Sequence, residues 1–181
     1  MFDAIYRLLD RFATWPVFIL LLVLCFLCML GFWWRAKALN ERAGGKEIVT
    51  FDARHAYTPE EARDLLEMMG ERGRPFYAWT QMTLDLVFPL IYGSLFLIAL
   101  FRLYGDPGYL LLVPMIASLA DLLENFTNTF LALSYKPGAV PSLARFSSFC
   151  TGVKRSGITI SIILIFVAIV FCIRHWRRAT S

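Results

Sequence analysis

Four long apolar runs alternate with shorter polar segments along the chain. An α-helix needs ~20 residues to cross ~30 Å of hydrocarbon, and each run reaches that length. The pattern therefore predicts an all-α integral membrane protein with spans at about 16–34, 79–104, 109–135 and 146–173. Because short connections favour antiparallel neighbours, we expect an up-down-up-down four-helix bundle. It should form a single transmembrane domain over residues 1–181.

The first two runs carry distinct end and break signals. Trp33, Trp34 and Arg35 close the first run, which is typical of an aromatic and cationic anchor at the membrane interface and favours a retained helix over a cleaved signal peptide. Pro89 lies inside the second run and removes a backbone donor. It therefore predicts a kink that leaves the carbonyl of Asp85 without its helical partner.

An extramembrane insertion at about 35–78 separates the first two spans. Within it, Thr58-Pro59-Glu60-Glu61 matches the start of a helix with a capping box. Apolar residues follow at helical spacing until Gly70, which is a stop signal. The sequence thus predicts a short amphipathic helix at about 59–69, lying on the membrane or capping the mouth of the bundle.

The composition supports a membrane location. Hydrophobic residues make up 58% of the chain and charged residues 18%, against ~45–50% and ~25% in soluble domains. The net charge of +4 comes from Lys and Arg placed mainly between the runs and at the termini, so we expect membrane lipids as partners and no nucleic acid. The arginines near span ends predict a bacterial inner (plasma) membrane protein with both termini cytoplasmic. They are Arg7, Arg11, Arg102, Arg174, Arg177 and Arg178.

Two carboxyls and two carboxamides interrupt the third apolar run. Such groups are costly at membrane depth and usually face a protein interior or a water-filled cavity. At ~100° per residue, all four fall on one narrow helical face. They are Asp121, Glu124, Asn125 and Asn128.

Polar residues on two other spans complete a predicted pocket. Asp85 and Tyr92 share one face of the second span, and Lys154 lies at a comparable depth on the last, ~9–12 Å below the surface that carries the insertion. Asp85 and Lys154 are equally consistent with snorkelling residues at the interface. The predicted ligand-binding residues beside the two acids are Asp85, Tyr92, Asn125, Asn128 and Lys154.

The chemistry of this pocket stays open at the sequence level. Asp121 and Glu124 are candidates for a catalytic acid/base pair, with Lys154 or Arg155 as the compensating cation. The same groups could carry a proton, bind a cation or only hold helices together. No metal and no cofactor are expected, because the spans contain no His-plus-carboxylate set and the chain has no glycine-rich phosphate loop. The Asp52-x-x-His55 pair is typical of a solvated surface.

Three functions fit these observations. The first is a site for a lipophilic small molecule or for a lipid or isoprenoid substrate, reached from the side of the bundle. The second is an accessory subunit that docks on a membrane protein partner. The third is a proton- or cation-coupled transporter, which four spans would support only as a homo-oligomer. Whether the protein is an enzyme is left undecided.

Overall fold

The computed structural model describes residues 3–180, with side chains up to Arg174. Over that range the chain is helical and contains no β-strand. The helices are α1 Asp3–Phe12, α2 Trp15–Arg42, α3 Pro59–Gln81, α4 Leu84–Tyr104, α5 Leu112–Ser134 and α6 Ala144–Thr180. Short 3-10 helices at Phe51–Ala53 and Gly108–Leu111 precede α3 and α5. Arg177 and Arg178 of the predicted basic tail lie outside the described side chains.

Four segments are long and apolar enough to cross a membrane. The prediction of an all-helical protein with four candidate spans is therefore confirmed. The segments are Trp15–Arg42, Pro59–Tyr104, Gly108–Ser134 and Ala144–Arg174.

The first apolar helix extends further than the sequence pattern predicted. It continues past Trp34 to Arg42, so the start of the predicted insertion is helical. Burial explains the extension, because Ala38 and Leu39 are shielded from solvent. Leu39 packs so close to Gly73 of α3 that a Cβ atom added to Gly73 would lie 3.3 Å from Leu39 Cδ1. This extra length places Ala38 and Leu39 in the protein interior, whereas Glu41 and Arg42 at the end of α2 are exposed.

The helix that starts at Thr58 also extends beyond its predicted end. Its capping box is present, with Glu61 N–H donating to the Thr58 hydroxyl and Thr58 N–H donating to the Glu61 carboxylate. Gly70 has φ 65° and breaks the helical geometry, but the helix resumes and runs to Gln81. The stop at Gly70 is therefore a kink, and the break before α4 lies at residues 82–83 instead.

The sequence pattern missed α1, a short N-terminal helix. Its Leu9 packs in a cluster with Ile98 of α4 and Leu111 before α5. The Tyr6 hydroxyl accepts a hydrogen bond from Gly108 N–H at 2.9 Å and donates one to the Asp106 carboxylate. These contacts tie α1 to the turn between α4 and α5.

Helices α5 and α6 pack closely against each other at Gly157. A Cβ atom added there would meet Ala117 Cβ at 2.7 Å and the Val113 carbonyl oxygen at 3.3 Å. We expect Gly157→Ala to lower the free energy of unfolding by ~1–3 kcal/mol, the range for overpacked interiors. Thermal and SDS-induced unfolding in detergent would measure it. The matched control is Gly152→Ala, because a Cβ there meets nothing within 4 Å; equal stability of the two variants would contradict this packing.

Candidate functional site

The polar face of α5 points into the bundle. Asp121 is 4% exposed, and Glu124, Asn125 and Asn128 are fully buried. The neighbouring residues Ala117 and Ala120 are also buried, whereas Leu119 and Leu123 on the other side of the helix are exposed. Helical periodicity thus separates a polar interior face from an apolar outer one.

Lys154 on α6 compensates both acids. Its Nζ lies 3.2 Å from Asp121 Oδ1 and 2.6 Å from Glu124 Oε2. The other oxygen of Asp121 accepts a hydrogen bond from the Tyr92 hydroxyl at 3.1 Å. Lys154 is only 7% exposed, so it is buried within the protein. The cation between the two acids is therefore Lys154, whereas the guanidinium of Arg155 contacts His55 and the Ala53 carbonyl.

The backbone carbonyl released by Pro89 finds a side-chain partner on α5: Asn125 Nδ2 donates to the Asp85 carbonyl at 2.7 Å. Nearby, the Ser118 hydroxyl donates to the carbonyl of Pro89 itself at 3.0 Å. A buried carbonyl without a partner would destabilise the fold, so the bond from Asn125 helps to make a proline tolerable inside α4. Asn125 therefore has a structural role in holding the kink.

Arg35 belongs to the site, although its sequence context indicated an interface anchor. It is 5% exposed, forms an ion pair with Asp85, and places Nη2 2.7 Å from Asp52 Oδ2. Gln81 also hydrogen-bonds the Asp85 carboxylate. Asp85 is itself buried within the protein, at 5% exposure. An arginine, two carboxylates and an amide thus form a second charged group beside Lys154.

Asp52 lies inside this group, so the prediction of a solvated Asp52-x-x-His55 surface is wrong for the aspartate. Besides Arg35, its carboxylate accepts a hydrogen bond from the Tyr77 hydroxyl at 3.3 Å. Burial acts to raise the pKa of Asp52, but the charges of Arg35 and Lys154 outweigh it and lower that pKa to about 2. His55 is exposed, as predicted, and its Nδ1 lies 3.2 Å from Arg155 Nη1.

Asn128 anchors the insertion to α5 and α6. Its Oδ1 accepts a hydrogen bond from the Ser147 hydroxyl at 2.6 Å and lies 3.5 Å from the Tyr57 hydroxyl. The Tyr57 N–H in turn donates to the Ser148 hydroxyl at 3.0 Å. These bonds hold the segment before α3 over the end of the bundle.

A cavity of about 640 Å³ lies between α2, α4, α6 and this segment. Among the described residues, α2 packs against α3 and α4 but makes little contact with α6, and both α2 and α6 contribute lining residues to the cavity. Apolar side chains form its walls: Met29, Phe32, Trp33, Phe88 and Ile158. Charged side chains also line it: Arg35, Asp52, Asp85, Asp121, Lys154 and Arg155.

The predicted pocket residues fall into two layers. Asp85, Asp121 and Lys154 line the cavity, whereas the other four lie behind it. Tyr92 and Glu124 contact the cavity-lining residues directly, and Asn125 and Asn128 hold the helices around them. The acid/base role of Asp121 and Glu124 stays a prediction. Arg35 and Asp52 are the site residues that the sequence patterns missed.

Within the described part of the chain, no group of three or more His, Cys, Asp and Glu residues could hold a metal ion. Comparisons of the sequence and structure with protein-family models, curated proteins and solved structures find no match. The fold and site define a class: a helical protein with four candidate membrane spans and a cavity lined by both apolar and charged side chains.

Proposed function

We propose that this protein binds a lipophilic ligand or a lipid or isoprenoid substrate in the cavity between α2 and α6. One observation carries the proposal: the cavity is lined by apolar side chains of α2, α4 and α6 together with charged side chains that include the buried Arg35, Asp85, Asp121 and Lys154. Ligand sites typically combine such walls with a few convergent polar groups. A ligand already dissolved in the bilayer would enter between the two helices without crossing water.

The polar end supplies the selectivity in this proposal. An apolar chain gains little on moving from lipid to protein, because lipid tails are as apolar as leucine. Hydrogen bonds to the head group must therefore distinguish the ligand from bulk lipid. Asp121 is positioned to contact it, with Tyr92 and Lys154 fixing the two carboxylate oxygens. If the ligand is a substrate, Asp121 and Glu124 are the proposed acid/base pair, joined through Lys154.

The proposed membrane arrangement is an up-down-up-down bundle with a short amphipathic helix in its first connection. Contacts along the chain support it. Arg35 near the end of α2 meets Asp85 near the start of α4, and Ser147 near the start of α6 meets Asn128 near the end of α5. Arginines near the span ends favour cytoplasmic termini in a bacterial inner membrane. The insertion would then cover the cavity from the opposite side.

A cavity-filling substitution tests the binding proposal. Ile158→Trp should block the cavity from α6, and we expect the amount of lipophile that copurifies with the protein to fall by about tenfold, the effect of losing ~1.4 kcal/mol of binding free energy. Native mass spectrometry and lipid extraction would measure it. Leu119→Trp is the matched control, because Leu119 is 57% exposed on α5 and does not line the cavity. Equal lipophile content in the two variants and the wild type would contradict the proposal.

Each of the two alternative functions predicts its own experimental result. An accessory subunit would migrate on native gels far above 20.7 kDa with defined companions. The exposed aromatic residues on α2, including Trp15 and Phe26, offer a docking face for such a partner. A homo-oligomeric transporter would show proton or cation flux in liposomes that Asp121→Asn abolishes.

A further inference from the structure

A surface groove of about 570 Å³ lies where the insertion meets α6. His55 of the insertion lines it together with a short stretch of α6, and most of these residues are exposed. Arg155 and Ile158 line both this groove and the proposed ligand cavity, so the two are neighbours. The other α6 residues of the groove are Ser156, Thr159 and Ile160.

Arg155 has no carboxylate partner among the described residues. Its Nη2 donates to the Ala53 carbonyl at 2.9 Å, and its Nη1 lies 3.2 Å from His55 Nδ1. Because arginine can only donate, His55 Nδ1 is the acceptor in this contact, and an imidazole that accepts there is uncharged. Arg35 and Lys154, by contrast, each pair with two carboxylates. The guanidinium of Arg155 therefore has a positive charge that is available to an anionic ligand.

The polar groups of the groove favour a phosphate. A guanidinium carries more N–H donors than the two that the contacts of Arg155 use. An imidazole that accepts at Nδ1 has its hydrogen on Nε2, so His55 provides a further donor. Ser156 and Thr159 add hydroxyl groups, and no carboxylate lines the groove in the part of the chain that the structure describes. A phosphate diester is an anion with several acceptor oxygens, and arginine binds such groups through charge-assisted hydrogen bonds.

An exposed apolar stripe of α6 continues from the groove. At ~100° per residue, Arg155, Thr159, Ile162 and Phe166 share one face of the helix. Ile162 is 53% exposed and Phe166 is 66% exposed, and α6 carries no charge after Arg155 as far as Ile173. From Arg155 to Phe166 the helix rises ~16 Å at ~1.5 Å per residue. One leaflet provides about half of a ~30 Å hydrocarbon core, so the stripe matches the depth of one acyl chain.

We infer that an anionic phospholipid binds to this face of α6, at a site separate from the proposed ligand cavity. Its phosphate lies against Arg155 and His55, and one acyl chain follows Thr159, Ile162 and Phe166. An anionic head group is preferred over a zwitterionic one, because the ammonium group of the latter would find no carboxylate in the groove and would add a cation beside Arg155. This inference does not depend on the proposed function.

Native mass spectrometry of the full-length protein tests the inference. The protein in detergent is titrated with phosphatidylglycerol and phosphatidylcholine that have identical acyl chains. We expect the wild type to retain phosphatidylglycerol with a preference of about tenfold, equivalent to ~1.4 kcal/mol. Equal retention of the two lipids would overturn the anionic head group. Inorganic phosphate at the same concentration should not displace the lipid, because it has no acyl chain, and displacement by phosphate would overturn a lipid as the occupant.

A pair of arginine variants assigns the preference to Arg155. Arg155→Gln keeps hydrogen-bond donors but removes the charge, so the two lipids should then be retained about equally. The matched control is Arg145→Gln, because Arg145 is exposed on the same helix and does not line the groove. This control should keep the wild-type preference for phosphatidylglycerol. An unchanged preference in Arg155→Gln, or an equal loss in both variants, would overturn the assignment.

Thr159→Trp tests the location of the lipid without removing a charge. Thr159 is exposed and lines the groove but not the proposed ligand cavity, so an indole there should fill the groove with little effect on folding. We expect retention of phosphatidylglycerol to fall by about tenfold, equivalent to ~1.4 kcal/mol. Leu119→Trp is the control, because Leu119 is exposed on α5 and does not line the groove. Wild-type retention in Thr159→Trp, or the same loss in Leu119→Trp, would overturn the site on α6.

Discussion

Replacing Lys154 with methionine is expected to lower the free energy of unfolding by ~3–5 kcal/mol, the range for removing one partner of a buried ion pair. Its ammonium group is the cation shared by Asp121 and Glu124, which are 4% and 0% exposed. Methionine fills similar space but leaves two carboxyls without compensation. Equilibrium unfolding in mixed detergent and SDS micelles would measure the loss.

Two further variants separate the charge effect from general damage. Arg145 is exposed on α6, so Arg145→Met should change stability by no more than ~0.5 kcal/mol. Adding Asp121→Asn and Glu124→Gln to Lys154→Met should recover most of the lost stability, because neutral replacement of a buried ion network is often tolerated. A triple variant as unstable as Lys154→Met would contradict electrostatic compensation as the role of Lys154.

The parts of this protein that could be predicted from sequence are those governed by local patterns. Hydrophobic length predicts the four candidate spans, and helical periodicity predicts the polar face of α5 that includes Asp121 and Asn125. The sequence also predicts that Pro89 frees the carbonyl of Asp85, because proline has no N–H. The hydrogen-bond partner of that carbonyl could not be predicted, because Asn125 reaches it only through the packing of α5 against α4.

The parts that could not be predicted depend on contacts between distant segments. Arg35 follows two tryptophans and therefore resembles an interface anchor, but the continuation of α2 and the folding of the insertion bury it. Asp52 likewise lies in a polar segment and becomes part of the site through contacts with α2 and α3. The cavity itself comes from the weak contact between α2 and α6, which has no local sequence signal.

Arg35 holds the insertion and the membrane helices together, and its removal is expected to have an effect similar in size to that of Lys154. Arg35→Met leaves Asp52 and Asp85 without their common partner, so the free energy of unfolding should fall by ~3–5 kcal/mol near neutral pH. The same detergent–SDS unfolding assay would measure it. Lys37→Met is the matched control, because Lys37 is exposed on the same helix.

The pH dependence of this loss distinguishes the ion pair from simple packing. In the folded protein the pKa of Asp52 is lowered to about 2, against ~3.9 in an unfolded chain. A lowered pKa adds stability that is complete above the unfolded value and disappears as the pH falls towards the folded value. The stability difference between wild type and Arg35→Met should therefore be constant above about pH 5 and shrink between about pH 4 and pH 2. A difference that stays the same down to about pH 2 would instead assign the loss to the packing of Arg35 on the Phe32 ring, whose centroid lies 4.9 Å from the guanidinium carbon.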